Sequence, residues 1–147
     1  MTNGLLLNRL DRDNSLTTRA TITQRGSRGK HVMIVDDDTD FRLLLRDRLV
    51  RRGLTCVEAE NGEVAKKHLK EKHVDLVITD YRMPKMDGLE LIDWLHQFQR
   101  PVPIIFVSGD LSGSTREKAE QAGVYAIMEK PCSLAELSLV VEEVFSE

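Results

Sequence analysis

The chain has 147 residues, which suits one domain with at most a small appendage. Its hydrophobic fraction of 41% and charged fraction of 31% are those of an ordinary globular protein, and no run approaches the ~20 apolar residues that a membrane span needs. Cys56 and Cys132 are far apart and form no Cys-x-x-Cys motif. We therefore expect neither a cysteine metal site nor a disulfide framework, no membrane association, and a reducing cytoplasmic location.

The net charge of −3 is unevenly distributed along the chain. Residues 1–30 hold six Lys and Arg against two Asp, a balance of +4, which leaves 15 basic and 22 acidic groups in residues 31–147. This acidic body argues against nucleic acid as its partner. Residues 17–30 are rich in Ser, Thr, Gly and Arg, as linkers are. We predict a basic, flexible arm over residues 1–30 and a domain over residues 31–147.

The predicted arm contains one cluster of apolar residues, so a structured segment is an alternative to a flexible one. Leu5, Leu6, Leu7 and Leu10 could form a helical turn that docks on the domain. Trp94 would be one contact for such a segment if it were exposed, although partial burial in ordinary packing is the alternative for this residue.

Five short segments predict five β-strands: residues 32–35, 54–59, 76–78, 104–107 and 124–128. Several of them are continuous apolar runs with β-branched members, which are typical of strands that are buried on both faces of a parallel sheet.

Each predicted strand is followed by a helical pattern. Asn61 is suited to cap the second helix. Ser114 with Glu117, and Ser133 with Glu136, have the spacing of a capping box before the fourth and fifth helices. The apolar stripes expected to face the core are Phe41, Leu44, Leu45 and Leu49; Val64, Ala65 and Leu69; Leu89, Ile92 and Leu95; and Leu134, Leu137, Val141 and Val144.

Five β-then-α units in strict alternation predict an α/β fold. The expected architecture is a five-stranded parallel sheet with right-handed crossovers and helices on both faces. In such sheets ligands bind outside the carboxyl ends of the strands.

Chemically active side chains follow four of the predicted strands. Asp36 and Asp37 end the first strand, Asp80 the third, Ser108 the fourth and Lys130 the fifth. Taken singly, each has an ordinary alternative, since the acids could cap helices, the serine could be a turn hydroxyl and the lysine could be solvated. Taken together, they would converge on one edge of the sheet if these strands are neighbours.

Such a cluster indicates a magnesium-dependent phosphoryl site. Several close carboxylates cannot all ionise unless a cation lies among them, and Mg²⁺ suits a site with few carboxylates and several waters. A lysine and a hydroxyl could neutralise phosphoryl oxygens, which leaves one carboxylate free to act as nucleophile.

At this point the chain resembles the receiver domains of two-component response regulators. The matching segments are Ile-Val-Asp-Asp-Asp at 34–38, Thr-Asp-Tyr-Arg-Met-Pro-Lys-Met-Asp-Gly at 79–88, Val-Ser-Gly at 107–109 and Lys-Pro at 130–131. The resemblance covers about residues 31–147 and implies the flavodoxin-like (βα)5 receiver fold.

The resemblance also implies a role for each site residue. Asp80 would accept a phosphoryl group from a phosphohistidine of a histidine kinase or histidine phosphotransfer protein, and Lys130 and Ser108 would contact that group. The Mg²⁺ ligands would be Asp36, Asp37, Asp80 and the main-chain carbonyl of Arg82.

The family further implies how the signal leaves the domain. The fourth helix, fifth strand and fifth helix, about residues 114–145, would change on phosphorylation and bind a downstream protein, or the group would pass onward to a phosphotransfer protein. No output domain is expected after the last helix. The chain would accept phosphoryl and hydrolyse it from itself without being a turnover enzyme.

Several positions depart from the family pattern. Ile127 stands where an aromatic switch residue is common, Tyr125 matches no switch position, and Cys132 stands where Phe is common. Arg82 adds a second cation near Asp80. We hypothesise that Arg82, together with Asp110, alters the phosphoryl lifetime; a solvated arginine is the alternative.

Two rival functions use the same residue types. A haloacid-dehalogenase-like phosphatase needs Asp-x-Asp-x-Thr, but Asp36-x-Asp38 is followed by Asp40, with Thr39 one place early. A degenerate receiver acting as a binding scaffold is the other rival, and the full set of five site residues argues against it.

Overall fold

Five parallel strands form the centre of the fold, and a helix follows each of them. The computed structural model describes residue 26, residues 28–98 and residues 101–146. The elements are β1 (His31–Val35), α1 (Thr39–Arg51), β2 (Thr55–Ala59), α2 (Gly62–Glu71), β3 (Leu76–Thr79), α3 (Gly88–Phe98), β4 (Ile104–Ser108), α4 (Thr115–Gln121), β5 (Ala126–Glu129) and α5 (Leu134–Ser146).

The predicted five-stranded parallel α/β fold is confirmed. The strand order is β2-β1-β3-β4-β5. Val35 pairs with Thr79, so the residues that follow them, Asp36 and Asp80, emerge side by side at the carboxyl ends of β1 and β3. Ser108 pairs with Glu129, which places Lys130 just beyond the end of β5.

Both faces of the sheet are covered. On one face, α1 and α5 contribute Leu45, Leu49, Leu137 and Val141, all fully buried. On the other face, α2, α3 and α4 pack against the second set of strand side chains, among them the fully buried Phe106. Each such large side chain contributes about 1.5–3 kcal/mol by leaving water, and this two-sided packing holds the strand ends that build the site.

The predicted apolar stripe of the first helix is wrong at Leu44, which is 58% exposed. At about 100° per residue, Leu44 is turned a quarter of a circle or more away from Leu45 and Leu49. Those two residues face the sheet and are completely buried. Packing against the sheet therefore determines which of the consecutive leucines in this helix is buried.

The predicted helix caps are confirmed in two cases out of three. The Asn61 side chain accepts a hydrogen bond from Val64 N at 2.9 Å, and Ser133 Oγ accepts one from Glu136 N at 3.1 Å. Ser114 is the cap residue of α4, but its side chain makes no capping hydrogen bond. Its ψ of 7° lies outside the extended region that a capping residue needs.

Trp94 is half-buried, as ordinary packing predicts. Its ring stacks on Phe98 with the centroids 4.4 Å apart, and Lys66 Nζ lies 5.7 Å from its centroid. The predicted arm falls almost entirely on residues 1–25, which are outside the described part of the chain, so it stays a prediction. Within the described part, no helix combines the length and the apolar character that crossing a membrane requires.

Candidate functional site

Three carboxylates gather at the carboxyl ends of β1 and β3. One oxygen from each of Asp36, Asp37 and Asp80 lies within 4.8 Å of the other two. Asp36 and Asp80 are buried, whereas Asp37 is exposed. The cluster thus has a buried side and a side that is open to solvent.

Backbone groups of the adjoining loops orient the two buried acids. Asp36 Oδ1 accepts a hydrogen bond from Asp38 N at 2.9 Å, and Asp80 Oδ1 accepts one from Tyr81 N at 2.7 Å. Arg42 Nη1 donates to the carbonyl oxygen of Asp36 at 2.6 Å. Each acid therefore has one oxygen engaged by the backbone and a second oxygen directed elsewhere.

Lys130 supplies the positive charge of the cluster. Its Nζ lies 2.7 Å from Asp36 Oδ2 and 3.5 Å from Asp80 Oδ2. The same nitrogen lies 4.6 Å from the centroid of the Phe41 ring, within the range of a cation–π contact. The apolar pattern of the sequence predicts Phe41 only as a member of the core stripe; its place in the first turn after the acidic triplet is the one signal that indicates a site role.

These contacts shift the protonation equilibria of the site. Burial, and then the nearby charge of Asp36, raises the pKa of Asp80 to about 6, although Lys130 and the Tyr81 N–H oppose the shift. Burial would lower the pKa of Lys130, but hydrogen bonds and charge from Asp36 and Asp80 outweigh it and raise that pKa. The lysine is therefore charged at neutral pH, and burial together with the neighbouring Asp36 makes ionisation of Asp80 unfavourable in spite of that charge.

Ser108 lies at the same edge of the sheet, as predicted, but its hydroxyl is turned toward the loop between β4 and α4. The side chain is buried, and Oγ accepts a hydrogen bond from Asp110 N at 3.0 Å. The same hydroxyl donates to the Asp110 carbonyl oxygen at 3.4 Å, so both of its hydrogen bonds are made to one residue of this loop.

Arg82 and Asp110 form an ion pair that joins the loop after β3 to the loop after β4. Arg82 Nε and Nη2 donate to Asp110 Oδ2 at 3.1 and 3.0 Å, and the guanidinium lies 4.7 Å from the centroid of the Tyr81 ring. Hydrogen bonds from Ser112 and then Arg82 lower the pKa of Asp110. The Arg82 side chain therefore has a defined partner, and its carbonyl as a metal ligand stays a prediction.

Gly88 fixes the approach of α3 to the site. A Cβ at this position would collide with the carbonyl oxygen of Asp80. The Gly88 N–H donates to the carbonyl oxygen of Tyr81 at 2.8 Å. A glycine is required here because the helix begins directly against the backbone that presents Asp80.

The sequence and the fold of this chain are similar to those of known proteins. Residues 32–142 match the family described as the response regulator receiver domain. The chain is 34% identical over 115 residues to the DNA-binding transcriptional regulator NtrC of Escherichia coli (strain K12). The aligned region covers 78% of this chain and 24% of NtrC. It therefore spans about a quarter of the length of that relative.

Solved structures give the same result. The response regulator receiver protein from Pseudomonas putida is 32% identical, with a TM-score of 0.75 over 78% of this chain and 97% of that chain. The response regulator TrrA from Thermotoga maritima, solved in complex with Mg²⁺ and BeF, is 30% identical, with a TM-score of 0.70 over 78% of this chain and 98% of that chain. The chain belongs to the receiver domain family of two-component response regulators.

Proposed function

We propose that Asp80 accepts a phosphoryl group from a phosphohistidine of a histidine kinase or histidine phosphotransfer protein, in a reaction that depends on Mg²⁺. The observation that supports this role is the environment of Asp80: a buried carboxylate beside two further acids, with one cation 3.5 Å from its Oδ2. Few structural roles for an aspartate bring three acids and one lysine together at a strand end.

The residues of the cluster fit Mg²⁺. All three side chains offer oxygen, the donor that this hard cation prefers, and burial and the charge of Asp36 raise the pKa of Asp80, a cost that a bound cation would offset. We propose that Asp36, Asp37, Asp80 and the Arg82 carbonyl hold the ion. When bound, Mg²⁺ supplies positive charge that neutralises these acids and the oxygens of the incoming phosphoryl group.

The contacts of Asp80 support Oδ2 as the proposed nucleophile. Oδ1 is bound by the Tyr81 N–H, so Oδ2, beside Lys130, is the nucleophile. A bond forms between Oδ2 and phosphorus, the bond between phosphorus and the imidazole nitrogen of the donor breaks, and that nitrogen keeps the electron pair. Lys130 then pairs with one phosphoryl oxygen, and the Ser108 hydroxyl donates to another phosphoryl oxygen in place of the Asp110 carbonyl oxygen, to which it donates at 3.4 Å.

Phosphoryl acceptance can be tested on the full chain with a small donor such as acetyl phosphate. Intact-mass measurement should show one added phosphoryl group when Mg²⁺ is present, and hydroxylamine should remove it because an acyl phosphate is attacked at carbon. The Asp80→Asn variant should gain none while keeping its circular dichroism spectrum. The matched variant Asp110→Asn should still be modified; equal modification of Asp80→Asn and the parent chain would disprove the assignment.

The geometry favours a phosphoacceptor over a phosphatase. The phosphatase motif would need Asp38 as its second acid, but Asp38 Oδ1 accepts a hydrogen bond from Phe41 N at 3.1 Å and caps α1. We propose that the chain hydrolyses only its own acyl phosphate. Repeated turnover of a phosphomonoester by the full chain would contradict this.

We further propose that phosphorylation changes the surface formed by α4, β5 and α5, about residues 114–145, for a downstream protein. The Ser108–Asp110 hydrogen bond favours the unmodified packing, and movement of the hydroxyl to the phosphoryl group would shift the population toward a second packing. Adding beryllium fluoride with Mg²⁺ should therefore move the amide resonances of this surface as well as those around Asp80.

A further inference from the structure

A groove of about 400 Å³ lies between β5 and α5. Its apolar part includes Leu139, which is 41% exposed although it is a large hydrophobic side chain. Three glutamates border the same groove. The residues that matter here are Ile127, Leu139, Val140, Glu129, Glu136 and Glu143.

The groove is electrostatically negative. Within the part of the chain that the structure describes, none of its three glutamates forms an ion pair. Lys130, the cation nearest in sequence, is bound to Asp36 in the phosphorylation site. A ligand that combines apolar side chains with positive charge would therefore complement this surface.

The described chain begins beside the same helix. A Cβ on Gly26 would lie 3.3 Å from the carbonyl oxygen of Phe145, near the end of α5, and Gly29 N donates to Gly53 O at 2.9 Å. Glu136 precedes Phe145 by nine residues, so the groove extends to about 14 Å from this point along the helix.

The preceding segment has the complementary composition. Residues 5–12 read Leu-Leu-Leu-Asn-Arg-Leu-Asp-Arg, four leucines with Arg9 and Arg12. The 14 residues from Arg12 to Gly26 can span about 45 Å when extended, well beyond the distance required. Covalent attachment gives such a segment an effective concentration on the order of millimolar at the groove.

We propose that residues 5–12 bind in the groove between β5 and α5 of their own chain, with the leucines against the apolar part and Arg9 and Arg12 beside the glutamates. The bound segment would exclude other ligands from this part of the α4-β5-α5 surface. The proposal uses no step of the phosphoryl chemistry and can hold or fail independently of it.

The test compares amide spectra of the ¹⁵N-labelled full chain and variants of the arm. Arg12→Glu and Leu6→Ser should each shift the amide resonances of Glu136, Leu139 and Glu143, and high salt should shift the parent chain in the same direction. The matched charge change Arg19→Glu should leave them in place, and amides of α2, such as Glu63, should not move in any variant. Unchanged groove resonances in both Arg12→Glu and Leu6→Ser would overturn the proposal.

Spectra at several protein concentrations distinguish binding of the segment within its own chain from binding to a second copy of the chain. Binding within one chain predicts groove resonances that do not depend on protein concentration. Resonances that move on dilution toward the Arg12→Glu positions would show binding to a second copy and would also overturn the proposal. Beryllium fluoride with Mg²⁺, added to the same samples, reports on Asp80 separately, so failure of the arm proposal is distinguishable from failure of phosphoryl acceptance.

Discussion

Asp80 is buried next to a like charge, so its ionisation opposes folding. Its pKa of about 6 in the folded protein lies above the ordinary value of 3.8. Between these pH values the folded state binds a proton that the unfolded state has lost, and stability therefore falls as pH rises through this window. The protein keeps an acid where the acid costs stability, as expected of a functional group.

We predict that the free energy of unfolding in magnesium-free buffer contains an Asp80 contribution that decreases from about pH 4 to about pH 6 and is constant above that. Asp80→Asn should remove this dependence and should stabilise the protein at pH 7 by on the order of 1–3 kcal/mol, after allowance for solvent and for Lys130. Urea unfolding followed by circular dichroism across this pH range measures it. Asp93→Asn, an exposed acid on α3, is the control. Parallel pH profiles of Asp80→Asn and the parent chain would contradict the prediction.

The Arg82–Asp110 pair spans the two loops that flank Asp80, the proposed nucleophile. We predict that Arg82→Ala hydrolyses its acyl phosphate about 2–10-fold faster, because the loss of the contact to Asp110 opens the edge of the site to water. The decay of the phosphorylated protein, followed by intact mass after the donor is removed, gives the rate. Arg51→Ala, an exposed arginine on α1, should not change it. An unchanged rate in Arg82→Ala would leave this residue with a surface role only.

At the scale of elements, the start of α3 determines how β3 presents its acid. We predict that Gly88→Ala loses about 1–3 kcal/mol of stability or more, since the new methyl group meets backbone and not a flexible side chain. It should also accept phosphoryl more slowly, because relieving the collision displaces Asp80. Gly109→Ala is a matched control beside the site: its Cβ would lie 3.8 Å from the Lys130 Cβ, an ordinary contact. Urea denaturation measures the free energy of unfolding of both variants, and equal losses of stability in Gly88→Ala and Gly109→Ala would contradict the prediction.

The order and type of the elements were predictable because most strands are continuous apolar runs and four of the five helices have an apolar stripe. The errors occur where tertiary contacts choose among local options. Leu44 and Leu45 both suit a helix core, and only the position of the sheet separates them. Ser114 has the residue type of a capping box, but the backbone of the preceding loop does not place its side chain over the first turn.

The convergence of the site residues was also predictable, because a parallel sheet brings the carboxyl ends of neighbouring strands to one edge. The directions of individual side chains were not. Ser108 is held by an N–H two residues later, and Phe41 comes under Lys130 only after α1 packs on the sheet. Such contacts depend on loop geometry and packing, which have no periodic signal in a sequence.

At the scale of the whole molecule, the proposed phosphorylation site and the stability of the fold are linked through charge. The sheet order β2-β1-β3-β4-β5 places β1 beside β3 and brings three acids together. A cation that binds only the folded chain relieves their repulsion, so its binding free energy adds to the free energy of unfolding.

We therefore predict that Mg²⁺ raises the melting temperature of the full chain, and that above the dissociation constant the rise follows the logarithm of the Mg²⁺ concentration. At about 100 times its dissociation constant the ion should add about 2.7 kcal/mol. The shift should be smaller at pH 5 than at pH 7, because below the Asp80 pKa of about 6 protons compete with the metal for this carboxylate. Differential scanning calorimetry with and without EDTA measures both effects. Asp37→Ala should lose most of the shift and Asp93→Ala should keep it; a shift of equal size in these two variants would place the ion elsewhere on the molecule.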